Sequence, residues 1–331
     1  MKKDLHPERE KLIKDIQKLM EERGRKPLEM ARKAILEEKI ESKEVKEALH
    51  YFMTKYWQDL ARPTLMSICC EAVGGDPNAT IPFAVPLSLI SGALDIQDDI
   101  IDQSKTKHGQ PTVYGKYGKE IAILAADALL FKGFTLLCDA CLEVPREKAR
   151  KVMKIIKDMF YELGDAEAIE LGFRGRFDIN IEEYLKVIRK KAADVEAHTR
   201  VGAILGDGTK KKIDALGEFG RQLGIIFLIR DDYIDMFNPK EFTARIKKES
   251  PPLALIYSMQ NPETKSLIET LIQNKSLEKN VGQIINIIKK SGGFRNQLEI
   301  MNRLVRDTSY KLKKVGLNSN LISFLKVACI F

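Results

Sequence analysis

Apolar residues recur at spacings of three and four from one end of the chain to the other, and no segment alternates convincingly with period two. The pattern predicts helices throughout. Pro7 opens the first, Ser42 precedes a second that runs through Tyr56, and Arg62-Pro63 sets a proline at the first position of another. Asn180 with Glu183 forms a capping box ahead of YLKVIRKKAADVEAHTRVGAIL. Asn261-Pro262 and Ser276 begin shorter, later helices. Breaks are expected at Gly74-Gly75-Asp76-Pro77, Lys107-His108-Gly109-Gln110-Pro111, Gly172 to Asn180, Gly206 to Gly208 and Gly292-Gly293. The stretches 79–104 and 211–238 are apolar on most faces and belong at the centre. No linker or repeat divides the array. The expectation is one all-α domain over residues 1–331, about a dozen helices with the apolar ones enclosing a core, charged helices in 1–50 and peripheral helices in 253–331.

Composition adjusts this picture at a few points. The net charge of +8 would admit nucleic acid as a partner. However, the basic residues alternate with acids, as in EEKIESKEVKEA, which marks solvated helix faces. The clusters KKK at 210–212 and RIKK at 245–248 lack interleaved aromatics, so no nucleic-acid partner is expected. No run of 18 uncharged apolar residues exists, so no transmembrane segment is expected. Five cysteines, two of them adjacent at Cys69 and Cys70, argue against a disulfide framework and for a reducing, cytoplasmic location. Cys138 and Cys141, at i,i+3 without a second pair, read as core residues and not as metal or redox ligands.

The chemistry lies in LSLISGALDIQDDIID. This helix is hydrophobic almost all round, yet Asp95, Asp98, Asp99 and Asp102 fall on one stripe at i, i+3, i+4, i+7. GIIFLIRDDYIDMFN repeats the spacing with Asp231, Asp232 and Asp235. Like charges on one stripe repel, and a single such motif reads equally well as a solvated face. Two of them, each inside an apolar run, point to a facing pair of oxygen-rich surfaces. That arrangement suits Mg2+, which takes a few carboxylates and completes its shell with water and substrate phosphates.

From about Arg62 to Pro252 the chain resembles the trans-prenyl diphosphate synthases, or polyprenyl synthetases. The matching residues are DDIID at 98–102, GQPT at 109–112, LGIIFLIRDDYID at 223–235, Lys191 in RKKAADVEA, Asp127 in LAADALL and EAVGGDP at 71–77. The resemblance implies an isoprenoid-synthase fold with its helices around a central cavity, a dimer, and three Mg2+ holding the diphosphate of an allylic prenyl substrate. It makes Asp98, Asp99 and Asp102, with Asp231, Asp232 and Asp235, the metal ligands. Lys191 and Lys248 stand where the family contacts that diphosphate, and Lys107 takes the place of an arginine with the same role. Arg230 is expected to pair with a carboxylate of the second stripe or with phosphate. Ala93, Leu94 and Phe227 are expected to line the hydrocarbon cavity, Ala93 being the fifth residue before the first motif.

The departures fall on the side of the second substrate, isopentenyl diphosphate. A family segment Gly-Gly-Lys-Arg-x-Arg-Pro reads Trp57-Gln58-Asp59-Leu60-Ala61-Arg62-Pro63 here. Ser91 and His108 stand in place of a histidine and an arginine, and Ala192 and Leu228 in place of a threonine and a glutamine. Only Arg62 remains, and an acid at 59 reverses the local field. The expectation is therefore an enzyme that ionises an all-trans allylic prenyl diphosphate of 15–20 carbons or more without isopentenyl diphosphate. The cation would be cyclised, lose a proton or pass to another acceptor, as in class I terpene synthases. The alternatives are a conventional chain-elongating synthase, and a non-catalytic subunit in a heterodimer with such a synthase.

Overall fold

A computed structural model describes residues 7–107, 109–273, 277–317 and 319–330. Among these the chain forms sixteen α-helices and one short hairpin. In order they are α1 (Pro7–Leu36), α2 (Lys43–Tyr51), α3 (Ala61–Val73), α4 (Ile81–Ile101), β1 (Thr106–Lys107), β2 (Gln110–Pro111), α5 (Val113–Tyr117), α6 (Lys119–Leu142), α7 (Arg146–Leu171) and α8 (Ile181–Lys191). There follow α9 (Ala193–Leu205), α10 (Lys210–Asp235), α11 (Pro239–Lys248), α12 (Leu253–Ser258), α13 (Pro262–Gln273), α14 (Leu277–Ser291), α15 (Gly293–Lys314) and α16 (Ser319–Ala328). The all-α expectation holds, with more and shorter helices than a dozen.

The local signals act largely as read. Asn180 Oδ1 accepts from the Glu183 amide while the Glu183 carboxylate accepts from the Asn180 amide, both at 2.9 Å, so the capping box is closed. The helix after Ser42 does reach Tyr56, but its last turn, Phe52–Tyr56, widens to π geometry. Pro63 is the third residue of α3 and not the first. It still falls where an amide has no partner within the helix, so its missing N–H costs nothing there. The helix start at Ser276 lies outside the described residues.

Helices α4 and α10 run through the interior as their composition requires. The stretch Pro77–Ile101 is long and apolar enough to cross a membrane, but 72% of its apolar window is buried by the rest of the chain. Helix α6 passes the same length and composition test with only 33% buried. Phe131 and Leu142 stand well exposed on it, with Leu124 on the same helix. α9 is the hinge of the arrangement, packing against α3 on one side and α10 on the other. These contacts need glycine: a Cβ on Gly202 would sit 2.1 Å from the Met66 carbonyl oxygen, and one on Gly220 would sit 2.2 Å from Thr199 Oγ1. The close seam brings the carboxyl end of α10 beside α8 and α4, where the polar groups gather. All five cysteines are free, as expected, but Cys138 is exposed and Cys141 half-buried, so this pair is not in the core.

Candidate active site

The two acidic stripes end up facing one another. Asp98 of α4 and Asp102 at its end, with Asp231, Asp232 and Asp235 of α10, line one polar groove of about 150 Å3, together with Lys107, Lys191 and Arg245. Each stripe holds the second aspartate of its Asp-Asp pair inside: Asp99 is 1% exposed and Asp232 is 2% exposed. The buried pair have dedicated partners. The Tyr56 hydroxyl donates to Asp99 at 3.5 Å, and the Tyr184 hydroxyl donates to Asp232, which is also paired with Arg245. Arg245 additionally reaches Asp235 at 3.1 Å and Glu249 at 3.3 Å.

This crowding leaves its mark on the carboxyls. Burial, reinforced by Asp95 and Asp98, pushes Asp99 up to about 8. Burial, with Asp98 and Glu249 nearby, takes Asp102 to about 8 as well, and burial raises Asp232 to about 7. Asp98 goes the other way: burial would lift it, but Lys191 and Lys107 hold it below the usual carboxylate range. Along the groove the carboxyls outnumber the cations Lys107, Lys191 and Arg245. Among the described residues no three of these carboxylates converge as a closed metal site. An open, oxygen-only donor set, including the buried Asp99 Oδ1 that has no hydrogen-bond partner, fits a hard cation whose shell is completed by water and phosphate. Asp98, Asp102, Asp231 and Asp235, which line the groove, could hold it.

The predicted lysines are distributed unevenly. Lys191 Nζ is ion-paired with Glu170, lies 2.9 Å from Glu167 and 3.7 Å from Asp98. Lys107 lies within 3.6 Å of Asp95, Asp98 and Asp99. Lys248 does not line the groove; its Nζ donates to the Gln103 carbonyl at 2.8 Å, just past the end of α4. Arg174 reinforces that junction, donating to the Ile101 carbonyl at 2.5 Å and the Lys248 carbonyl at 2.6 Å.

A larger cavity of about 600 Å3 opens from the groove between α4 and α7. Asp95, Asp98 and Lys191 form its polar mouth, and Leu94, Phe160, Leu163 and Leu171 its apolar wall. Leu94 is therefore where it was expected. Ala93 is a correction: it is fully buried, packs into the core with Phe52, Leu89 and Ile96, and does not line the cavity. Phe227 lines a third space of about 440 Å3 instead, between α1, α3, α10 and α16. Arg230 lines that space too and not the polar groove. Its floor is the segment that departs from the family. Arg62 lies between two carboxylates, 2.9 Å from Asp59 and paired through Nε with Asp194. His108 lies outside the described residues.

The Polyprenyl synthetase family model matches residues 42–288. A short chain isoprenyl diphosphate synthase of Methanothermobacter thermautotrophicus is 32% identical over 238 residues, covering 70% of this chain and 72% of the relative. The chain belongs to the polyprenyl synthetase family. A geranylgeranyl diphosphate synthase of Sulfolobus acidocaldarius is 28% identical over 74% of this chain and 76% of its own. The crystal structure of geranylgeranyl pyrophosphate synthetase from Pyrococcus horikoshii superimposes with a TM-score of 0.81 over 95% of this chain and 98% of that one, at 27% identity. These relatives are named as prenyl diphosphate synthases. They favour the conventional synthase, given above as an alternative, over the terpene-synthase-like reading.

For a polyprenyl synthetase, several groups at this site escape sequence reasoning. Tyr184, Arg245, Glu167, Glu170 and Arg174 carry no motif signal, because each acquires its partner only when distant helices meet. Arg245 was visible only as part of the RIKK charge cluster at 245–248, in which Lys248 alone was assigned to the diphosphate. Its spacing after the second stripe was the one available hint.

Proposed function

We propose that the protein is a Mg2+-dependent prenyl diphosphate synthase that adds isopentenyl units to an all-trans allylic prenyl diphosphate. The observation that carries this is the convergence of Asp98, Asp102, Asp231 and Asp235 with Lys107 and Lys191 on one groove that opens into an apolar cavity. Bound there, Mg2+ would supply positive charge against the leaving diphosphate. Lys191 holds its ammonium at the mouth of the cavity, where a diphosphate oxygen can replace Glu167 as its partner. Leu94, Phe160 and Leu163 exclude water from the hydrocarbon and so from the allylic cation. The 440 Å3 space on the other side of Leu228 is the place for the second substrate. The exposed apolar face of α6 supports assembly as a homodimer.

One observation favours a second reading. The sole remaining arginine of the acceptor segment, Arg62, is already engaged by Asp59 and Asp194. A pocket so neutralised binds a diphosphate weakly, which suits cyclisation, proton loss or a different acceptor. The test is incubation with farnesyl or geranylgeranyl diphosphate and Mg2+, with and without isopentenyl diphosphate, and mass detection of products. Chains longer by five carbons support the synthase. Diphosphate release that ignores isopentenyl diphosphate, with a hydrocarbon or alcohol product, supports the second reading. No turnover of any allylic substrate would sink both.

A further inference from the structure

The 440 Å3 acceptor space is lined by Arg62, Lys191 and Arg230, and the first two are already engaged. Arg62 is held by Asp59 and Asp194, and Lys191 by Glu167 and Glu170. Arg230 differs. Among the described residues no carboxylate pairs with its guanidinium, and its buried Nε has no hydrogen-bond partner. Its surroundings explain the isolation. Phe324, Val327 and Ala328 of α16 line the same space and bring no side-chain acceptor. Cys329, beside it, is a thiol that burial pushes up to about 11, so it carries no negative charge at neutral pH. A buried donor without an acceptor costs free energy in the empty protein, and that cost is relieved when a ligand supplies the acceptor.

We infer that Arg230 anchors the phosphate of the second substrate, so that its recognition has moved from the segment before α3 to the carboxyl end of α10. The inference rests on the reading of this space as the acceptor site. An arginine is suited to the task, because its planar fork can donate two parallel hydrogen bonds to one phosphate. The apolar wall of α16 strengthens each of them, since little water competes there. The phosphate then lies between α10 and α16, with the hydrocarbon end toward Leu228, which lines the acceptor space and the allylic cavity alike. A single anchor there takes over from the cations that Asp59 and Leu60 replace, and it leaves Arg62 in its pairing with Asp59 and Asp194.

The experiment titrates the full chain with isopentenyl diphosphate by calorimetry in the presence of a chelator, so that no metal draws the diphosphate to the acidic groove. Wild type is expected to bind. Arg230→Met is expected to bind at least about tenfold more weakly, with Arg230→Gln tested likewise should the first variant not fold. Arg230→Lys, which keeps the charge and loses the fork, is expected to fall between the two. The melting temperature of Arg230→Met should match or exceed that of wild type, because the substitution removes a buried donor that nothing in the protein satisfies. A second titration uses farnesyl thiodiphosphate, an analogue that ionises slowly, with Mg2+; its affinity should stay within about twofold of wild type, since Arg230 lies outside the allylic cavity. Weakening short of tenfold in the neutral variants would overturn the anchor role, and so would equal weakening toward both ligands, which marks a structural lesion. No binding of isopentenyl diphosphate by wild type itself would instead remove the reading of this space as the acceptor site.

Discussion

The Ser91 hydroxyl donates to Asp194 at 3.0 Å, tying α4 to α9 at the edge of the 600 Å3 cavity that both residues line. The same carboxylate holds Arg62, while burial is overcome by Arg62 and His198 so that Asp194 stays below the usual carboxylate range. The one cation left in the acceptor segment is thus committed to the protein. Replacing Asp59 removes the second of its two anions and returns a positive charge. Asp59→Lys is expected to lower KM for isopentenyl diphosphate at least tenfold and leave KM for the allylic substrate unchanged, since each charge-assisted phosphate contact contributes about 1.5–3 kcal/mol. Steady-state kinetics with each substrate varied in turn checks this, and a parallel change in both constants would refute it.

The outer and inner aspartates of the stripes should separate by what they break. Asp98→Asn and Asp231→Asn, both at the groove surface, are expected to slow diphosphate release by about 100-fold or more with little change in melting temperature. Arg245→Met leaves Asp232, Asp235 and Glu249 without their shared cation. It is expected to destabilise the fold by about 3 kcal/mol or more, read by denaturant unfolding.

Protonation gives a third expectation, for the chain with metal removed by chelator. The folded carboxyls of Asp99 and Asp102 titrate at about 8, well above an unfolded value of about 3.9. The folded state therefore binds more protons than the unfolded one between those limits. Their contribution to stability is complete below about pH 4 and is lost as pH rises through about 8. Asp98 and Asp194, shifted downward, lose theirs only below pH 4, so they do not disturb the window. Melting temperature should fall from pH 5 to pH 8.5, and Asp99→Asn should flatten the slope.

Product length should answer to Leu94 and not to Ala93. Leu94→Phe narrows the cavity between α4 and α7 and is expected to shorten the product by at least one five-carbon unit. Ala93→Phe forces a ring into a packed core and is expected to cost about 1–3 kcal/mol of stability with the product length unchanged. Mass detection of products, alongside thermal melts, distinguishes the two outcomes.

What the sequence made legible follows from range. The capping box at Asn180 and the paired Asp stripes act within one or two helical turns, so their spacing is enough to reveal them. Lys107 was assigned to the diphosphate by position, yet its seat among Asp95, Asp98 and Asp99 depends on a hairpin with two residues per strand, too short to leave a periodic trace. Ala93 was misplaced because counting back from a motif fixes its angle to the aspartates but not which face of α4 meets the cavity. Tyr184 and Asp232 are 48 residues apart, and nothing local to either announces the other.

The glycines between α3, α9 and α10 have a consequence for inheritance. With Gly202 against Met66 and Gly220 against Thr199, the seam leaves no room for a methyl group. A saturating scan of single substitutions should find two sets of forbidden positions that no chemistry unites: acids that face the groove, and glycines that face nothing but backbone and a hydroxyl. Only the second set would still be forbidden in a descendant that had abandoned catalysis and kept the fold.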